Sequence, residues 1–224
     1  GIKQIRYGHR VGIRALCGMA GKDLSRITAG DIGFALGPRL NAAGRMESAL
    51  KAFDLLMTDK LENAGLIAQE LDNQNSQRQY ATRAAQQKAE EELGDGITTN
   101  LIASFNPDYS SGIVGLVASK LSERYYRPAI VGSIEDDFIK ASCRSIPEFH
   151  ITRALDECAD LLLRHGGHSM AAGFTVHKDY QDQLIERLNQ IVARELDGLE
   201  LRPTMKIDVE LAIDEVTQRI YPEL

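Results

Sequence analysis

Three consecutive runs decide the fold: LIASF (101–105), GIVGLVASKLSERY (112–125) and PAIVGS (128–133). The first and third are short, apolar and rich in β-branched residues, which reads as strands. The middle run repeats apolar residues at three- and four-residue spacing, which reads as an amphipathic helix. A strand, a helix and a strand in close succession predict a βαβ unit and a layered α/β domain. Downstream, FIKASC (138–143) predicts a third strand, 151–164 a helix, Ala171–Val176 another strand and Tyr180–Leu196 a helix. The expected fold is therefore α/β, with a mixed sheet flanked by helices. Beyond it, KIDVEL (206–211) alternates as a strand would, and Asp214 is placed to cap a short helix.

Upstream the rhythm is helical. Residues 1–21 predict one short amphipathic helix with Ile13, Leu16 and Met19 on a shared face. Thr28 is a plausible N-cap for the next segment, and Gly37-Pro38 marks a kink or a restart. ALKAFDLLM (49–57) reads as a buried helix. Residues 59–93 predict one or two long helices whose apolar residues thin out after Asp72, so that 73–92 is nearly all polar. A helix polar all round usually bridges domains through solvent, and Gly94-Asp95-Gly96 would end it at a domain boundary.

Composition sets bounds. The 224 residues are 43% hydrophobic and 26% charged, with a net charge of −6, ordinary values for a globular chain. Proteins that coat duplex DNA are usually basic, so the acidic balance argues against that role but permits a local basic groove. No apolar run reaches the roughly 20 residues of a membrane span. Cys17, Cys143 and Cys158 are few and scattered, as expected of reduced thiols in a cytoplasmic protein.

Three segments carry chemistry. RHGGHSMAAG (164–173) pairs Gly166 and Gly167, which permit close backbone approach to an anion, and His168 follows as a donor. The alternative is a glycine turn between helix and strand with His168 on the surface. In KASCRS (140–145), alternation puts Ser142 and Arg144 on one face and Cys143 on the other. A hydroxyl beside a guanidinium suits a phosphate; a solvated edge strand is the alternative. In LGPRLNAAGR (36–45), Arg39, Asn41 and Arg45 bracket small residues, which suits either ligand approach or a helix-packing joint. The five histidines form no Asp-His-His cluster or His-x-x-x-His pair, so no metal is expected to be bound by these residues, and no catalytic residue is assigned.

Together, GPRLNAAGRMESALKAFDLL, the K-x-S-x-R-S-I strand followed by Phe-His, and GGHSMAAG resemble the RecJ single-strand-specific exonucleases of the DHH phosphoesterase superfamily. The resemblance implies a two-lobed, Mn²⁺- or Mg²⁺-dependent 5′→3′ exonuclease acting on single-stranded DNA in repair and recombination. Residues 1–57 would be the end of the catalytic lobe, 58–95 the connecting helix, 96–200 the DHH-associated lobe and 201–224 the start of an OB-fold-like domain. Ser142 and Arg144 would hold the 5′-terminal phosphate, Arg39 or Arg45 would face the scissile region, and His168 would contact the phosphate next to the metals. Replication or repair proteins are the implied partners. The alternatives are a phosphodiesterase for short oligoribonucleotides or cyclic dinucleotides, and an inert replication scaffold. Two places depart from the family pattern: Tyr109-Ser110 stands where Trp-His is usual, and Ala141 and Cys143 replace glycines, which would add bulk near the phosphate site.

Overall fold

The computed structural model describes residues 1–94 and 99–213. The first 21 residues form two helices, α1 (Ile2–Arg6) and α2 (Val11–Met19). Gly8 breaks the expected single helix because its φ of 72° is closed to helical side chains. Thr28 caps α3 (Ala29–Asp31) in a full capping box with Asp31, whose carboxyl is pulled down to about 2 by Lys22 and Thr28. A π-helical turn, Ile32–Leu36, then leads into α4 (Gly37–Met46). The wider turn absorbs the hydrogen bond that Pro38 cannot donate, which is how the Gly-Pro step is accommodated.

The next helix, α5 (Leu50–Met57), buries only Leu55. Leu50, Phe53 and Met57 are exposed, contrary to the expectation of a buried helix; its apolar residues surround the axis, so periodicity could not choose a face.

One helix, α6 (Leu61–Leu93), spans the whole predicted region, about 50 Å at 1.5 Å per residue. It is not solvated all round. Ala64, Ala68, Leu71, Gln74, Asn75, Thr82, Ala85 and Ala89 form a buried stripe at three- and four-residue steps. Its first half closes a core with Leu16, Ile27, Leu36 and Leu55, and its second half joins a core with Ile102, Val117, Leu121 and Val131. Small side chains made this stripe look polar in sequence. Gly94 ends the helix at a φ of 66°; Asp95 and Gly96 lie outside the described residues.

The strands are β1 (Ile102–Asn106), β2 (Ala129–Glu135), β3 (Phe138–Arg144), β4 (Leu162–His168) and β5 (Ala171–His177). They form a five-stranded mixed sheet in the order β1-β2-β3-β5-β4, parallel only between β1 and β2. Helix α7 (Val114–Tyr125) makes the βαβ crossover and packs over β2 and β3 on one face, sharing a core with Ile102 of β1. On the other face α8 (Ile151–Asp156) and α9 (Gln181–Leu196) pack over Ile130, Ile139, Cys143 and Phe174.

Two expectations fail here. The helix predicted over 151–164 stops at Asp156, and 162–168 pairs with β5 instead. Glycines at 166 and 167 weaken a helix, and the waiting edge of β5 satisfies the backbone. KIDVEL forms no strand: among the described residues it has no neighbour to pair with, and its apolar Ile207 and Val209 stay exposed. The proposed cap at Asp214 falls outside the described residues.

Candidate nucleic-acid interface

Register assembles the site. Arg144 pairs with Ala171, which pairs with His168; Ser142 pairs with Gly173, which pairs with Gly166. Residues directly opposite in a ladder share a face, so Ser142, Arg144, Gly166 and His168 all project from one side of the sheet. Gly173 and Ala171 between them leave a low floor. β3 is therefore an internal strand, not the solvated edge considered from its sequence. The first turn of α7 borders this face: its Gly115 lies against Ser142 and Arg144, where an added Cβ would come within 3.4 Å of the Ser142 hydroxyl and 3.2 Å of an Arg144 nitrogen, while Gly166 and His168 on β4 stay exposed.

The glycine pair lies within β4, and the chain reverses at Ser169-Met170. The two glycines do different work. At Gly167 (φ 153°) a Cβ would meet the Ala171 carbonyl oxygen at 2.4 Å and the Ala172 Cα at 2.5 Å, so the hairpin itself demands glycine. At Gly166 nothing lies within 4 Å of an added Cβ; its bareness keeps the floor open. Thr152 Oγ1 donates to the His168 carbonyl oxygen at 2.7 Å and Ile151 N to the Ser169 carbonyl at 3.1 Å. The start of α8 thereby fixes the hairpin while the exposed His168 ring has no hydrogen-bond partner among the described residues.

The face is cationic. Arg144 donates only to the Cys143 carbonyl and has no carboxylate partner among the described residues. Cys143 points into the opposite core, where burial pushes its thiol up to about 12, so it is protonated at neutral pH and no nucleophile. Ala141 and Cys143 both pack on that opposite side. Their bulk, expected to crowd the phosphate site, is turned away from it.

The helical half contributes through α7. Gly112 just before it touches the Arg45 carbonyl so closely that a Cβ would lie 1.9 Å away, and Arg45 Nη1 donates back to Gly112 O at 3.4 Å. Asn41 lies one turn before Arg45 on the same exposed face of α4. Arg39 is turned elsewhere: its Nε lies 2.7 Å from Asp72 and its Nη1 bonds the Ala35 carbonyl, tying α4 to α6.

A residue missed from sequence is Arg78. It sits on the buried stripe of α6 and bonds Asn75 at 2.8 Å, while its buried Nε has no partner. Burial and then the charge of Arg45 push its guanidinium below the ordinary value; a bound anion would relieve both. With Gln79, Thr82, Arg83, Leu116, Ser119 and Lys120 it lines a depression of about 360 Å³. The available signal was a lone charge at stripe spacing.

Residues 98–194 match the DHHA1 domain family. The chain is 35% identical over its full length to the single-stranded-DNA-specific exonuclease RecJ of Bacillus subtilis and 37% identical over 97% of its length to that of Dickeya dadantii. This chain belongs to the RecJ family. Its fold agrees: RecJ from Thermus thermophilus, solved in complex with Mn²⁺, superposes with a TM-score of 0.78 at 31% identity over 87% of this chain. A second RecJ exonuclease bound to manganese gives 0.77 at 30% identity over 90%. The chain spans 29% and 40% of the B. subtilis and D. dadantii RecJ sequences, and 28% and 51% of the two solved chains.

RecJ structures were thus determined with a divalent metal, but the described residues do not fit one. No three His, Cys, Asp or Glu side chains gather as a ligand set among them, and what converges on the open face is donors. Donors of this kind are suited to anionic oxygens. The position where the family pattern has Trp is filled here by Tyr109, which is buried with its hydroxyl 3.0 Å from Ser104 Oγ. Ser104 in turn donates to Glu92, so this Tyr joins β1 to α6. Among the described residues no helix is long and apolar enough to cross a membrane.

Proposed function

We propose that this chain is the substrate-binding part of a RecJ-type, metal-dependent 5′→3′ single-stranded-DNA exonuclease of repair and recombination. The observation that carries it is the shared sheet face that brings Ser142, Arg144, Gly166 and His168 together over a floor of Gly173 and Ala171. Ser142 and Arg144 would hold a terminal phosphate, the latter through its planar fork of donors. His168 and the bare backbone at Gly166 would hold the next phosphate. Arg45, with Asn41 and Arg78, would close the site from the α4–α6 side, whereas Arg39 acts by bracing α4.

Hydrolysis would belong to the whole enzyme; this chain would bind and orient the strand. The purified chain is expected to bind 5′-phosphorylated single strands and, with Mn²⁺ added, to leave them intact. Fluorescence anisotropy and gel analysis read both. Arg144→Ala should weaken binding roughly tenfold, as expected for losing a charge-assisted phosphate contact. Unchanged affinity would sink the phosphate assignment, and strand degradation by the chain alone would show that it holds catalytic machinery.

A further inference from the structure

The open face does not stop at the phosphate residues. Two further rows continue it along β3 and β5: Lys140–Thr175–Arg164, then Phe138–His177. Arg164 donates to Thr175 Oγ1 at 3.0 Å and has no carboxylate partner among the described residues. Lys140 lies 2.5 Å from Glu135, a carboxylate at the far end of β2. Both cations line a depression of about 300 Å³ floored by Gly173 and Thr175.

At its end stand three rings. Phe138 meets His177 edge-on at 5.4 Å, and His177 meets Tyr180 at 6.3 Å. Phe138 is 41% and Tyr180 48% exposed. This aromatic surface is left uncovered one row beyond Arg164, the cation without a carboxylate partner among the described residues, and beside the Lys140–Glu135 pair. The step from the Arg144 row to the Phe138 row is six residues, about 20 Å, enough for several nucleotides of an extended strand.

We infer that Phe138, His177 and Tyr180 form a stacking platform for nucleobases downstream of the phosphate-gripping residues, with Arg164 and Lys140 tracking the intervening backbone. The occupant is a single strand because stacking needs unpaired bases presenting their π-faces, and alternation of cations with rings is what such strands require. A duplex hides those faces. This platform rests on the phosphate reading and extends it: the terminal phosphate sets the register, and the platform holds the nucleotides nearer the 3′ end.

The test compares a 5′-phosphorylated oligothymidylate trinucleotide with a dodecanucleotide, using the intact chain. Replacing both exposed rings (Phe138→Ala with Tyr180→Ala) should weaken the dodecanucleotide at least about fivefold and leave the trinucleotide unchanged. Phe138→Trp should restore most of the loss. A 2-aminopurine placed several nucleotides from the 5′ end should be quenched on binding by the wild-type chain and not by the double variant. If Arg144→Ala weakens both ligands while the double variant binds the dodecanucleotide normally, the platform is wrong and the phosphate site stands. If Arg144→Ala changes neither ligand, or the wild-type chain binds no strand, the phosphate reading falls and the platform falls with it.

Discussion

Two adjacent glycines show how differently one residue type can serve. Gly167→Ala drives a Cβ into the Ala171 carbonyl and the Ala172 backbone, so the hairpin must shift; a loss of about 1–3 kcal/mol is expected, read as a lower thermal midpoint. Gly166→Ala meets nothing in the protein. It should leave the stability within about 0.5 kcal/mol of wild type yet weaken strand binding, because its methyl occupies the floor. Equal destabilisation by both would refute the division of labour. Cys143 offers a pH signature. Its folded value of about 12 stands above the ordinary thiol value of 9.0, so below about pH 9 both folded and unfolded thiols keep their proton and stability is flat. Between about 9 and 12 the unfolded thiol ionises first and stability declines. Urea melts at neutral and alkaline pH should show a shallower alkaline decline for Cys143→Ala than for wild type.

Elements, in turn, are set by what each stretch finds to pair with. The sequence of 162–168 has no strong strand pattern, and its assignment came from β5, whose free edge accepted it despite an extra residue at Leu163. KIDVEL has the alternation but no partner among the described residues, and stays irregular. Conversely, local signals sufficed where the stabilising groups are local. Thr28 and Asp31 exchange side-chain-to-backbone bonds within three residues, so Thr28→Ala should cost about 1 kcal/mol, measured by denaturant unfolding. The α6 stripe was missed because Ala and buried amides carry a weak hydrophobic signal even when their spacing is regular.

For the whole molecule, a net charge of −6 coexists with a face where Arg144 and Arg164 lack carboxylate partners among the described residues. Many carboxylates are engaged elsewhere, in pairs such as Glu90–Arg124, Asp160–Arg187 and Glu157–Arg194. Binding should therefore be local and salt-sensitive. With two to four phosphates engaged, the slope of log affinity against log salt is expected near about −1.4 to −2.8. A slope near zero in an anisotropy titration would mean that phosphates are not the contacts.

The sequence by itself determined the βαβ start of the sheet, the helical state of 59–93 though not its continuity as one helix, the facing of Ser142 and Arg144 away from Cys143, and, through its motifs, the resemblance to RecJ. All of these depend on near neighbours in the chain or on strings of identity. Only the tertiary structure decided that Gly166 and His168 share a face with Ser142 and Arg144, since that follows from the register of β5 between two distant strands. It alone turned Arg39 towards Asp72, brought the half-buried Arg78 under the influence of Arg45, and lined up Phe138 with His177. Those are contacts between residues far apart in sequence, and no local pattern encodes which strand edge or helix face will meet which.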